Sequence, residues 1–223
     1  MQNDRGKYAN SVKKGRNICL VLNKRINRNL FNQELILRFM VKIVPGSVLV
    51  IIDVQKGFAD PRWGVRNNPD AEKKMKKVLG EFREHGLRVI HVRHDSKNPN
   101  SLLHSGKETF QFKDEVKPLE GEMIITKHVN SAFIGTNLEE VLRGMGNPPV
   151  YYMGLVTDHC VSTTARMSGN LGFESFVIED ACAAHEAKGM DGEKIPAQIV
   201  HNVNLASING EFATVLKSEE MEF

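Results

Sequence analysis

The sequence predicts an α/β protein built on a parallel sheet flanked by helices. From Pro45 onward, short apolar runs alternate with segments whose apolar residues recur at helical spacing. The 223-residue length suits one substantial domain of that class. After Pro45 the chain shows neither an internal repeat nor a linker.

The elements follow in order. The first strand is expected over 47–53, and 57–70 reads as loop because Pro61, Gly64, Asn67, Asn68 and Pro69 break any pattern. A helix is expected over 70–85, where Met75, Val78, Leu79 and Phe82 form one stripe closed by Gly86. The second strand is 87–92. Residues 94–120 form a polar loop long enough to suggest a functional or contact role. The third strand is 123–126, followed by a short helix over 137–145 that Gly146-Asn147-Pro148-Pro149 ends. The fourth strand spans 150–153 and a helix 158–171; the fifth strand is 174–178. A helix over 194–209 and a sixth strand over 212–216 complete the pattern.

Composition narrows the function. Hydrophobic content of 41% and charged content of 26% are ordinary for a globular protein. No run approaches the roughly 18 apolar residues of a membrane span. Three cysteines, Cys19, Cys160 and Cys182, are too few and scattered for a disulfide framework or a paired-cysteine metal site, so reduced thiols in a cytoplasmic setting are expected. The net charge of +3 is uneven: residues 1–44 hold ten Lys and Arg against two acids, leaving 20 against 25 in 45–223. Nothing in the body therefore suggests a nucleic-acid surface. Residues 1–44, basic and Asn-rich, read as an N-terminal extension to a domain over 45–223. That segment is a flexible extension, an organellar targeting piece, or sequence upstream of a natural start at Met40; a nucleic-acid-binding arm is the sharper alternative.

Three expected strands end in residues that together form a chemical set. Ser47 to Ile52 closes on Asp53, Glu122 to Thr126 closes on Lys127, and Cys160 follows the fourth strand at a helix start. Parallel strands point their carboxyl ends the same way, and ligands of open α/β sheets bind in the crevice outside those ends. Residues 74 and then 33 positions apart in the chain thereby converge. Oriented N–H groups at the helix start are expected to favour the Cys160 thiolate. Asp53 would take the thiol proton and return it to a leaving amine, while Lys127 would favour the thiolate and hold Asp53 near its ordinary pKa. Singly, each has a plainer reading: a turn residue, a solvated lysine, a small buried hydrophobe. Jointly they point to catalysis.

The chain from about Val48 to Val215 resembles the isochorismatase-like cysteine hydrolases. The likeness rests on Ile52-Asp53-Val54-Gln55-Lys56-Gly57-Phe58, on Lys127 with Ser131-Ala132-Phe133 and Gly135-Thr136, and on Gly154 through Val161. Thr163-Thr164-Ala165-Arg166, Leu171-Gly172-Phe173 and Asp180-Ala181-Cys182-Ala183 extend it. The resemblance implies a catalytic triad of Asp53, Lys127 and Cys160, an oxyanion hole from the amides of Val156 and Cys160, and a cis peptide at Leu155–Val156. It also implies a three-layer α/β/α sandwich with a six-stranded, mainly parallel sheet, and a homodimer or homotetramer.

Two departures refine that expectation. Family members that cleave a vinyl ether lack the nucleophilic cysteine, so Cys160 favours C–N hydrolysis through a thioester. The zinc motif of nicotinamidases has a histidine two residues after an Asp; here Asp95 is followed by Ser96 and Lys97, so neither metal nor cofactor is expected. His94, His104 and Asp95 have the wrong spacing for that site. The loop Arg93-His94-Asp95-Ser96 with Pro99, Leu102-Leu103 and Gly106 resembles a metal-free branch that includes streptothricin-hydrolase-like amidohydrolases. The substrate expected is a small amide, ureide or lactam, contacted by Phe58, Trp63, His94, Phe133, Thr157 and His159. Phe58, Trp63 and Phe133 read equally as core, and His159 as solvent-facing. The alternative is a non-catalytic member that binds a ligand or a protein through the same crevice.

Overall fold

The structure is a computed structural model that describes the backbone of Ile18–Cys19 and residues 40–223. Most of the basic extension therefore lies outside the described residues. The strands are β1 (Ile18–Cys19), β2 (Met40–Lys42), β3 (Val48–Ile52), β4 (Arg88–His94), β5 (Met123–Lys127), β6 (Val150–Leu155), β7 (Ser175–Ala183), β8 (Ala187–Lys188), β9 (Lys194–Ile195), β10 (Thr214–Leu216) and β11 (Met221–Glu222). The helices are α1 (Ala71–Glu84), α2 (Leu138–Gly144), α3 (Ser162–Asn170) and α4 (Ala197–Ile208). Among the described residues no helix is long and apolar enough to cross a membrane.

Six strands form one sheet in the order β10-β7-β6-β3-β4-β5, with every pairing parallel. All five residues of β3 and all six of β6 are buried, as expected where helices cover both faces of a parallel sheet. The chain winds from β3 outward through β4 to β5, then returns to β6 on the other side of β3 and continues to β7 and β10. Strand order thus reverses between β3 and β6, which opens a crevice at their carboxyl ends. α1 buries Ala71, Met75, Val78, Leu79 and Phe82, a stripe at helical spacing that packs against the sheet core.

Each expected strand and helix is present, with shifted ends. β7 runs to Ala183, well beyond the expected end, and Lys194–Ile195, expected to start α4, instead form β9, which pairs with β8 in a short antiparallel ladder. The helix expected over 158–171 begins as a π-helical turn, Thr157–Val161, before α3. Ahead of Pro45, β2 pairs with β1 and with β11, and the Ile43 amide donates to the Glu222 carbonyl at 2.8 Å. Ile43 itself is buried in the core.

Candidate active site

Four adjacent strands each deliver one side chain to the reversal point. Asp53 immediately follows β3, His94 ends β4, Lys127 ends β5, and Cys160 sits in the π-helical turn after β6. His94 and Lys127 are register partners across β4 and β5, so their proximity is set by sheet pairing. Ile52 pairs with Gly154 across β3 and β6, which brings Asp53 beside the segment leading to Cys160. Gly154 is required there: its φ is +142°, and a Cβ would collide with the backbone carbonyl of Ile52. The peptide Leu155–Val156 is cis, at the position the family resemblance implies. Asp53 adopts φ +52°, which is uncommon for a residue with a side chain and turns the chain sharply at the strand end.

The side chains meet closely. Lys127 Nζ lies 2.6 Å from Asp53 Oδ2, with both side chains fully buried. The same ammonium lies 3.3 Å from Cys160 Sγ, 3.2 Å from His94 Nδ1 and 3.1 Å from the Val129 carbonyl. Burial raises the Asp53 carboxyl above the ordinary range, although Lys127 draws it down. Burial also drives the Cys160 thiol far above its usual value; the Asp53 charge adds to this and Lys127 opposes it. Both directions correct the sequence reading. Desolvation outweighs the lysine, which disfavours the thiolate at rest and makes Asp53 a stronger base than an ordinary carboxylate. Asp53 Oδ1, buried without a hydrogen bond among the described residues, keeps an acceptor position for a proton.

Gln55 holds the neighbouring strand end. Its side-chain amide accepts from the His94 N–H at 2.9 Å and donates to the His94 carbonyl at 3.1 Å and the Phe110 carbonyl at 2.9 Å. One buried amide thereby ties the 94–120 loop to β4. Sequence reading quoted Gln55 in a motif without giving it this task; its place two residues beyond Asp53 was the available signal. Asp53, His94 and Cys160 offer ligand atoms within 4.8 Å of one another, the one such trio among the described residues. Lys127 already donates into that trio, so a metal cation would have to displace the ammonium. Asp95 and His104 serve the loop instead: Asp95 Oδ1 accepts from the Ser105 amide at 2.8 Å, and His104 Nδ1 lies 2.8 Å from the Ser96 carbonyl.

The other expected contact residues divide. Phe58 and Trp63 pair with ring centroids 5.3 Å apart, and Trp63 is 38% exposed, next to His185 at 6.1 Å. Val156, with Cys160 one of the expected oxyanion-hole residues, leads directly into the π-helical turn. Phe133 stacks on Phe173 with centroids 5.9 Å apart and is buried, matching its plainer core reading. Thr157 is fully buried and its Oγ1 lies 2.8 Å from His201 Nδ1, so its hydroxyl is committed to α4 rather than free for a substrate. His159 is a surface residue, 62% exposed, whose Nδ1 lies 2.8 Å from Asp158 Oδ2. Its pKa is raised, chiefly by that carboxylate. His185 and His201 were missed because nothing in sequence ties them to Cys160. A separate surface cavity of about 210 Å³, lined by Pro149, Tyr151, Phe176 and Phe212, lies at the amino ends of the strands, away from this chemistry.

A model of the isochorismatase domain matches residues 47–220. The chain belongs to the isochorismatase family. It is 49% identical over 175 residues to the isochorismatase family protein YrdC of Bacillus subtilis, covering 78% of this chain and 94% of that one. Among solved structures, it is similar to an isochorismatase-family protein from Chromobacterium violaceum, with a TM-score of 0.78 and 39% identity over 81% of this chain and 94% of that one. It is also similar to N-carbamoylsarcosine amidase from Thermoplasma acidophilum, with a TM-score of 0.62 and 27% identity over 79% of this chain and 99% of that one. These likenesses accord with an isochorismatase-family hydrolase built on a six-stranded parallel sheet.

Proposed function

We propose that this isochorismatase-family protein is a cysteine amidohydrolase that cleaves a C–N bond of a small amide or ureide through a thioester on Cys160. The observation that carries the reading is the contact chain Asp53–Lys127–Cys160, at 2.6 and 3.3 Å, at the point where strand order reverses. As substrate enters, the thiol proton passes to Asp53 and the sulfur bonds to the carbonyl carbon. Lys127 then faces a thiolate rather than a thiol, so its charge stabilises the step more than the resting state. The Val156 and Cys160 amides would receive the oxyanion, a contribution of about 3–4 kcal/mol for one well-placed donor. The C–N bond breaks, Asp53 passes its proton to the departing nitrogen, and ammonia or an amine leaves. Water then cleaves the thioester, giving one proton back to sulfur by way of Asp53 and releasing the acid.

The amidase similarity supports nitrogen as the leaving atom. The test is ammonia release from a panel of small amides and ureides by the wild-type protein and by Cys160→Ala. The reading expects release that the variant lacks. Equal release by both, or none from any panel member, would reject it.

A further inference from the structure

The three protons of the Lys127 ammonium meet three hydrogen-bonding partners, the Val129 carbonyl, Cys160 Sγ and His94 Nδ1, while Asp53 Oδ2 lies 2.6 Å away as its ion-pair partner. An ammonium only donates, so Nδ1 of His94 must accept, and the ring proton of a neutral His94 belongs on Nε2. We propose that Lys127 fixes His94 as the Nε2–H tautomer, and that this N–H reads an acceptor oxygen on the substrate beside the carbonyl that Cys160 attacks. The substrate class is then an amide with a second carbonyl or carboxylate oxygen, such as an acylurea, in preference to a plain alkyl amide. This rests on the amidohydrolase reading and deepens it.

Three geometric observations and one electrostatic tendency support the assignment. His94 is half-buried, and its Nε2 has no partner among the described residues and is not enclosed by protein. Its backbone is clamped on both polar atoms by Gln55, so the ring is held in place before substrate arrives. A ring nitrogen of His94 lies within 4.8 Å of both Sγ and a carboxylate oxygen of Asp53, so the imidazole as a whole sits beside the attacking sulfur. Burial, and then the Lys127 charge, lower the His94 pKa, so the ring is neutral at neutral pH.

Two probes isolate the feature, because N-acetylurea and N-ethylurea differ by a single carbonyl oxygen. Each is titrated as a protectant of Cys160 against iodoacetamide at pH 8.5, read by peptide mass spectrometry. Wild type should be half-protected by N-acetylurea at a concentration about tenfold below that of N-ethylurea, the size of one well-made hydrogen bond. His94→Leu should bring the two probes together, and His94→Gln, which keeps a donor, should restore part of the difference. Imidazole nitrogen shifts should show Nε2–H in wild type and mixed tautomers in Lys127→Met. Equal protection in wild type, protection by neither probe, or an unchanged ratio in His94→Leu would overturn the assignment. Selective protection without ammonia release from any amide or ureide would instead sink the hydrolase reading and leave the His94 donor standing.

Discussion

The Lys127 ammonium and the Asp53 carboxylate form an ion pair of 2.6 Å in which neither side chain reaches solvent. Two buried charges are tolerated only as partners, because each alone would carry an unpaired desolvation penalty. The pair offsets part of the desolvation that raises the Asp53 carboxyl, while Lys127 spans the gap to Cys160.

Breaking the pair from one side should therefore be costly. Lys127→Met leaves Asp53 as a lone buried carboxylate and should lower stability by about 3–5 kcal/mol in urea denaturation. The double variant Asp53→Asn with Lys127→Met should recover most of that loss while remaining inactive. A single variant as stable as wild type would show that the pair is not closed to water.

The Cys160 thiol, pushed up by burial and the adjacent carboxylate, should react slowly in the free protein. Iodoacetamide labelling at pH 7 is expected to fall below that of an unstructured cysteine peptide and to keep rising beyond pH 9. Labelling faster than the peptide at pH 7 would mean that a thiolate is already formed at rest.

His201 gives the fold an acid limit. It is buried against Thr157, and desolvation holds its pKa down to about 4, while the Asp158 charge works the other way. A histidine with a depressed folded pKa resists protonation. Its neutral form costs nothing above the unfolded value near 6.5, and stability drains as pH falls from there to about 4, by up to about 3 kcal/mol. Urea midpoints at pH 7 and pH 4.5 should fall further in wild type than in His201→Asn. Parallel losses in the two proteins would remove His201 from the account.

Gly154→Ala places a methyl group against the Ile52 carbonyl at a φ that side chains rarely adopt. Neither strand can give way, because the two are register partners in the sheet centre. The variant should lose more than about 4 kcal/mol or fail to accumulate folded. A stable variant with wild-type circular dichroism would contradict the close approach of β3 and β6.

Much of this was legible in the sequence, for a definite reason. Asp53, Lys127 and Cys160 each follow an apolar run, and parallel strands carry such terminal residues to one rim whatever their separation. The register that sets His94 opposite Lys127 was not legible, because strand pairing depends on which neighbours the sheet adopts. Thr157 and His159 both lie within three residues of Cys160, yet one is buried against α4 and the other faces solvent. Their directions follow from the π-helical turn, whose extra residue per turn no apolar spacing reveals. The burial that disfavours the Cys160 thiolate was not legible for a related cause: local N–H groups are visible in sequence, while desolvation comes from the whole fold.

The most direct measurement is rapid-quench mass spectrometry of the protein with a hydrolysed ureide, followed by digestion. An acyl mass is expected on the peptide containing Cys160, formed and lost at rates that match ammonia release, with neither adduct nor release in Cys160→Ala. Undiminished ammonia release by Cys160→Ala would contradict it.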